Sequence, residues 1–110
     1  MKLIIAIVQD EDANRLVSKL MADGFGATKL ATTGGFLRSG NTTLLTGVDD
    51  DKLDTVMGII EHTCKSRKQM APMHTPMPGS AGMYVPGYPV QVTVGGATVF
   101  VLDVEQFHKF

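Results

Sequence analysis

Residues 1–24 read MKLIIAIVQDEDANRLVSKLMADG, and they decide the fold. Leu3-Ile4-Ile5-Ala6-Ile7-Val8 is short, rich in β-branched residues and bounded by acids, which predicts a buried strand. Asp10, Glu11 and Asp12 follow, supplying an N-cap and first-turn negative charge for a helix. Ala13, Leu16, Val17 and Leu20 recur at i, i+3, i+4 and i+7, the apolar stripe of an amphipathic helix. Asp23-Gly24 supplies its stop.

The same pattern returns forty residues later. Ala13, Leu16, Val17 and Leu20 fall over Leu53, Val56, Met57 and Ile60, and each set is preceded by acids and by a strand ending in Val8 or Val48. Identity between the halves is low, so this is a repeat of pattern. Ala27 to Ala31 reads as a second strand and Thr42 to Val48 as a third. Asp49, Asp50 and Asp51 open a second helix, whose stripe continues to Cys64. Two strand–helix–strand units predict an α+β, ferredoxin-like βαββαβ topology in a single domain spanning 1–110.

From Gln69 to Pro89 the composition changes to five prolines, four methionines and three glycines, with no sustained period. That predicts a long loop, and long loops in compact domains are usually functional or disordered. Val90-Gln91-Val92-Thr93-Val94 then alternates, Gly95-Gly96 reads as a two-residue turn, and Ala97 to Val104 reads as the partner strand. The expectation is an extra C-terminal β-hairpin. Glu105 to Phe110 is a tail whose Phe107 and Phe110 want a docking surface.

A chain of 110 residues and 11.8 kDa has room for one domain. A hydrophobic fraction of 44% is that of a globular protein. A net charge of −1 offers no basic field for tracking a nucleic-acid polymer. One cysteine excludes an internal disulfide framework and a multi-cysteine zinc site, and fits a reducing cytoplasm. The longest apolar run, Leu3 to Val8, is too short for a transmembrane helix or a signal-peptide core, so no membrane insertion is expected.

That run is apolar at every position, so both of its faces call for burial, whereas a solvated face would show polar residues at alternate positions. Covering three more aliphatic side chains is worth roughly 4–9 kcal/mol per subunit. The expectation is an oligomer with sheets facing inward; a fold-back of the long loop is the alternative.

The segment from Ala27 to Asn41, ATKLATTGGFLRSGN, carries the densest chemistry. Glycines let backbone N–H groups ring an anion, and Thr, Ser and Asn side chains add donors. Lys29 and Arg38 offset phosphate charge, and Phe36 offers a face for a base. The combination suits a nucleotide; a flexible hairpin with a solvated tip is the plain alternative. It is not a Walker A loop, because Gly-Lys-Ser/Thr is missing and the glycines lead into a strand. The dinucleotide fingerprint fails for the same reason.

MKLIIAIVQDEDA at the start, ATKLATTGGFLRSGNTTLLTGV in the middle, and TPMPGSAGMYVPGYPV with GGATVFVLDVEQFHKF at the end resemble the PII-like cyclic di-AMP receptor proteins, nitrogen-regulatory-type signal transducers. The resemblance spans essentially the whole chain. It implies a bacterial, non-enzymatic signalling protein, a homotrimer with three sites for the cyclic dinucleotide at subunit clefts, and a further protein partner downstream. No cofactor is implied beyond the ligand, cyclic di-AMP. The matching positions are Thr28, Gly35, Phe36, Leu37, Asn41 and Gly47, with Phe100 and Lys109 added. Phe36 and Leu37 would sandwich adenine, Asn41 and Thr28 would bond its edge or the ribose-phosphate, and Gly47 would leave room. Members of the family carry arginine where this chain has Gly26 and glutamine where it has Lys109. Losing the arginine removes a charge-assisted phosphate contact of about 1.5–3 kcal/mol, and Lys109 returns a point charge from a neighbouring subunit. A sensor of another adenine nucleotide, such as ATP, is the alternative reading.

Met70, Met73, His74, Met77 and Met83 are soft enough for Cu(I), but a mobile lid accounts for them better. His62 and Cys64 lie on different sides of the second helix and form no nucleophile–base pair, and Cys64 falls on the apolar stripe as a core thiol. His108 reads as a structural or solvated tail residue. No Ser–His–Asp order, H-E-x-x-H or C-x-x-C pattern occurs, so no catalytic residue is assigned. The acid runs 10–12 and 49–51 resemble metal clusters, but helix capping explains both.

Overall fold

The computed structural model describes residues 1–30, 40–71, 74–76, 84–86 and 90–110. Its elements are β1 (Lys2–Gln9), α1 (Asp10–Ala22), β2 (Thr28–Leu30), β3 (Asn41–Val48), α2 (Leu53–Cys64), β4 (Arg67–Ala71), β5 (His74–Pro76), β6 (Tyr84–Pro86), β7 (Val90–Val94) and β8 (Ala97–Asp103). A single 3-10 turn, Asp50–Lys52, leads into α2. The main sheet has the antiparallel order β2-β3-β1-β8. With two helices between its strands, this mixed α+β arrangement is compatible with the ferredoxin-like pattern.

Both helices cover the same face of that sheet. Along β1 the burial alternates: Ile4, Ala6 and Val8 are buried and meet Leu16, Leu20, Val56, Ile60 and Leu44 in one core. The stripe of α1 arrives as expected, with Ala13, Leu16 and Leu20 buried and Val17 against them. On α2, Val56, Ile60 and Cys64 are buried, and Leu53 and Met57 pack beside them. Each fully buried aliphatic side chain contributes about 1.5–3 kcal/mol, so these two stripes fix the helices onto the sheet.

The expected C-terminal hairpin does not form. β7 pairs with β4, in register from Arg67↔Val94 to Ala71↔Val90, and only β8 joins the main sheet, beside β1. Gly95 and Gly96 do have the positive φ of a tight turn, +79° and +95°. Their N–H groups are engaged elsewhere, however: Gly95 donates to Gln9 Oε1 at 2.7 Å, and Gly96 donates to the carbonyl of Cys64. The dipeptide is therefore a corner that passes the chain from one sheet to another. β5 pairs with β6 inside the β4–β7 ladder, so the stretch expected as a loop carries two nested strand pairs.

The acids at the start of α1 also act differently from the expectation. Gln9 occupies the N-cap without a side-chain cap, and Asp10 accepts a hydrogen bond from the Thr42 hydroxyl. Asp12 is only 1% exposed and binds two guanidiniums, Arg15 Nη2 at 3.1 Å and Arg67 Nη2 at 2.9 Å. Arg15 donates as well to the Thr63 carbonyl at 2.9 Å, and Arg67 to that of Lys65. One carboxylate thus ties α1, the end of α2 and the first residue of β4 together. A buried carboxylate needs such partners. Replacing Asp12 by alanine should lower the unfolding free energy by about 1–3 kcal/mol, because both arginines can partly rehydrate; urea denaturation of Asp12→Ala against the parent measures it.

Candidate functional site

Side chains opposite one another in a ladder share a face. The register therefore sorts the expected site residues. Ile5 lies opposite Leu45 on one side and Phe100 on the other, and Leu45 lies opposite Thr28. Thr28, Leu45, Ile5 and Phe100 form one row across the face that the helices leave open. Leu3, Gly47 and Leu102 form a second row, and Gln9 with Asn41 ends the face at the corner made by Gly95. Four expected residues, Thr28, Asn41, Gly47 and Phe100, thus lie on one open face.

They are not close together. Thr28 and Phe100 are separated by three strand spacings, about 14 Å, and Asn41 and Gly47 by six residues of strand, about 20 Å. Phe100 is 53% exposed and Leu102 47%, on an outer strand of the sheet. A Cβ on Gly47 would meet nothing within 4 Å among the described residues. Gln9, Asn41, Ile7 and Thr98 line a hollow of about 350 Å³ against Gly95 and Gly96. Lys109 is exposed in the tail beyond β8. Gly35, Phe36 and Leu37 lie outside the described residues, as do Arg38 and most of the Met/Pro-rich segment.

Lys29 alternates away from the open face, and its Nζ donates to Asn14 Oδ1 of α1 at 2.9 Å, which ties β2 to the helix layer. Cys64 is fully buried, and burial, reinforced by the nearby Asp12 carboxylate, pushes its thiol above the usual range. It is no nucleophile in this environment. The described open face carries donors and apolar surface but no cation, a point that only the alternation of the register reveals.

The profile of a family described as cyclic-di-AMP receptor matches residues 1–110. The chain belongs to that family. Among solved structures, this receptor-family chain is similar to a Pediococcus pentosaceus ATCC 25745 protein described as functionally unknown. The two are 45% identical, over 99% of this chain and 96% of that one, with a TM-score of 0.77. Among the described residues of the receptor chain, no group of three or more His, Cys, Asp or Glu could hold a metal ion, and no helix is long and apolar enough to cross a membrane.

The glycines give a direct check on this geometry. Gly26 and Gly47 have open space at the Cβ position, so alanine at either should change stability by less than about 0.5 kcal/mol. A Cβ on Gly95 would lie 2.5 Å from Arg67 Nη1 and 2.7 Å from the Lys65 carbonyl, at a φ of +79°. Gly95→Ala should therefore cost about 1–3 kcal/mol, and thermal or urea unfolding of the three variants separates them.

Proposed function

We propose that this protein is a non-enzymatic, PII-like signal transducer that assembles as a homotrimer and binds cyclic di-AMP at the clefts between subunits. Membership of the cyclic-di-AMP receptor family supports the ligand. The observation that carries the cleft is the row from Thr28 to Phe100. At about 14 Å apart in one subunit, these two are too far separated to hold one adenine. The β2–β3 side of one copy against the β8 side of the next brings them within reach of the same ligand.

The apolar character of the open face favours the same assembly. Leu3, Ile5, Ile7 and Leu45 are only half-buried there, and Phe100 and Leu102 are exposed. Phe107 at 65% and a fully exposed Phe110 extend the patch along the tail. Apolar surface gathered in this way marks an interaction site.

In the cleft, Thr28 and Asn41 supply hydroxyl and amide donors to the base edge or the ribose-phosphate, Phe36 and Leu37 hold adenine between them, and Gly35 gives the backbone room to approach. Phe100 adds apolar surface, and Gly47 lets the neighbouring subunit come close. With Gly26 in place of arginine, Lys109 is the cation that meets the ligand's two phosphodiester charges. Binding orders the Gly-rich loop and the Met/Pro-rich segment, and that change is read by a protein partner. A ligand moves such an equilibrium only through its differential affinity for the two loop states.

Isothermal titration with cyclic di-AMP, beside cyclic di-GMP and ATP, tests the reading. One cyclic di-AMP per subunit, on a particle three times 11.8 kDa by light scattering, is the expected result. Thr28→Ala and Phe100→Ala should each weaken binding about fivefold or more, and Gly26→Arg should strengthen it about tenfold. A monomer that binds with full affinity, or preferential uptake of ATP, would sink the proposal. Hydrogen exchange in residues 69–89 should slow when the ligand saturates.

A further inference from the structure

A second hollow lies on the other side of the molecule, in the helix layer that the open sheet face does not touch. It measures about 300 Å³ and is lined by Arg15, Lys19, His62, Thr63, Lys65 and Arg67. Four cations and an imidazole therefore surround one small space, in a chain whose net charge is −1. Asp12 pairs with both arginines, Glu11 acts on Arg67, and Asp23 and Glu61 share neighbouring hollows with Lys19 and Lys65. The lining of this hollow itself holds four cations and no carboxylate.

Two further features separate it from an ordinary solvated cluster. Thr63 is 3% exposed, lines this hollow, and has a buried hydroxyl with no hydrogen-bond partner among the described residues. Buried polar groups are normally satisfied. Three of the last four carbonyls of α2, which would repel an anion, are also occupied: Thr63 accepts from Arg15, Cys64 from Gly96, and Glu61 from Lys65. Each guanidinium carries five donors in a rigid fork, more than these contacts use.

Lys19, His62 and Thr63 also line an adjoining hollow of about 440 Å³. Its remaining wall is Ala22, Gly58 and Ile59 together with Asp23 and Thr55. The two spaces meet along the facing C-terminal halves of α1 and α2, and together they suit an occupant with an anionic end and an apolar end.

We propose that this groove is a second ligand site, which takes the phosphate group of a small phosphorylated organic molecule. A phosphate monoester dianion suits a space lined by four cations and no carboxylate. It accepts from Arg15, Arg67, Lys19 and Lys65, while the organic part lies against Ala22 and Ile59. Because Arg67 is the first residue of β4, an occupant here also bears on the root of the β4–β7 pair.

Phenyl phosphate is a suitable probe, titrated into the ¹⁵N-labelled full chain at low salt and followed by amide shifts. Saturable shifts at His62, Thr63 and Lys65 are expected, with tighter binding than inorganic phosphate. Prior saturation with cyclic di-AMP should leave them in place. Lys19→Glu with Lys65→Glu should weaken binding about tenfold or more without altering cyclic di-AMP binding; the milder pair Lys19→Gln with Lys65→Gln serves if the reversal unfolds the chain. Shifts that never saturate, that persist unchanged in the variants, or that cyclic di-AMP abolishes would overturn the proposal, as would equal affinity for inorganic phosphate. Failure of cyclic di-AMP to bind leaves this experiment fully readable.

Discussion

Side-chain alternation along β1 governs the whole arrangement. The strand lies between β3 and β8 and is apolar on both sides. Strand geometry sends Ile4, Ala6 and Val8 one way and Leu3, Ile5 and Ile7 the other. The helices close the first face and make it the core. The second face inherits equally apolar side chains and, among the described residues, no helix to cover them. Everything on β2, β3 and β8 is sorted by the same parity, which is why Thr28, Asn41, Gly47 and Phe100 gather on the open side while Lys29 faces α1.

Much of this is legible in the sequence because it rests on periodicity. The i, i+3, i+4 stripes of α1 and α2 and the solid apolar run of β1 are local signals, and local signals survive folding. What is not legible depends on partners distant in the chain. Gly95-Gly96 carries the dihedral signature of a hairpin turn, yet Gln9 and Cys64 claim its N–H groups, so β7 pairs with β4. Asp12 looks like one more first-turn acid until Arg67, fifty-five positions on, is seen beside it. The site is legible in its residue types and much less in its spacing, because only the register reveals which side chains share a face.

The two faces of the molecule carry opposite chemistry. The open sheet face combines apolar surface with neutral donors. The groove between the helices concentrates cations around a buried carboxylate and suits an anion. Arg67 stands where the second of these meets the arm that β4 begins. The Asp12–Arg67 pair thereby gives the helix layer a mechanical hold on a segment that starts only where the globular packing ends.

The five-rung ladder between β4 and β7 has a practical side. Because the pairing from Arg67↔Val94 to Ala71↔Val90 closes this stretch, chain inserted beyond Ala71 and before Val90 leaves both the five paired positions and the core stripes of the helices unchanged in sequence. The entropy of such a closure grows only by about 0.6 kcal/mol for each doubling of length. This is a natural socket: a place where evolution can lengthen or trim the segment between the paired strands, and where an engineer can splice in a fluorescent module or an affinity epitope, while the hydrophobic centre keeps its own sequence requirements.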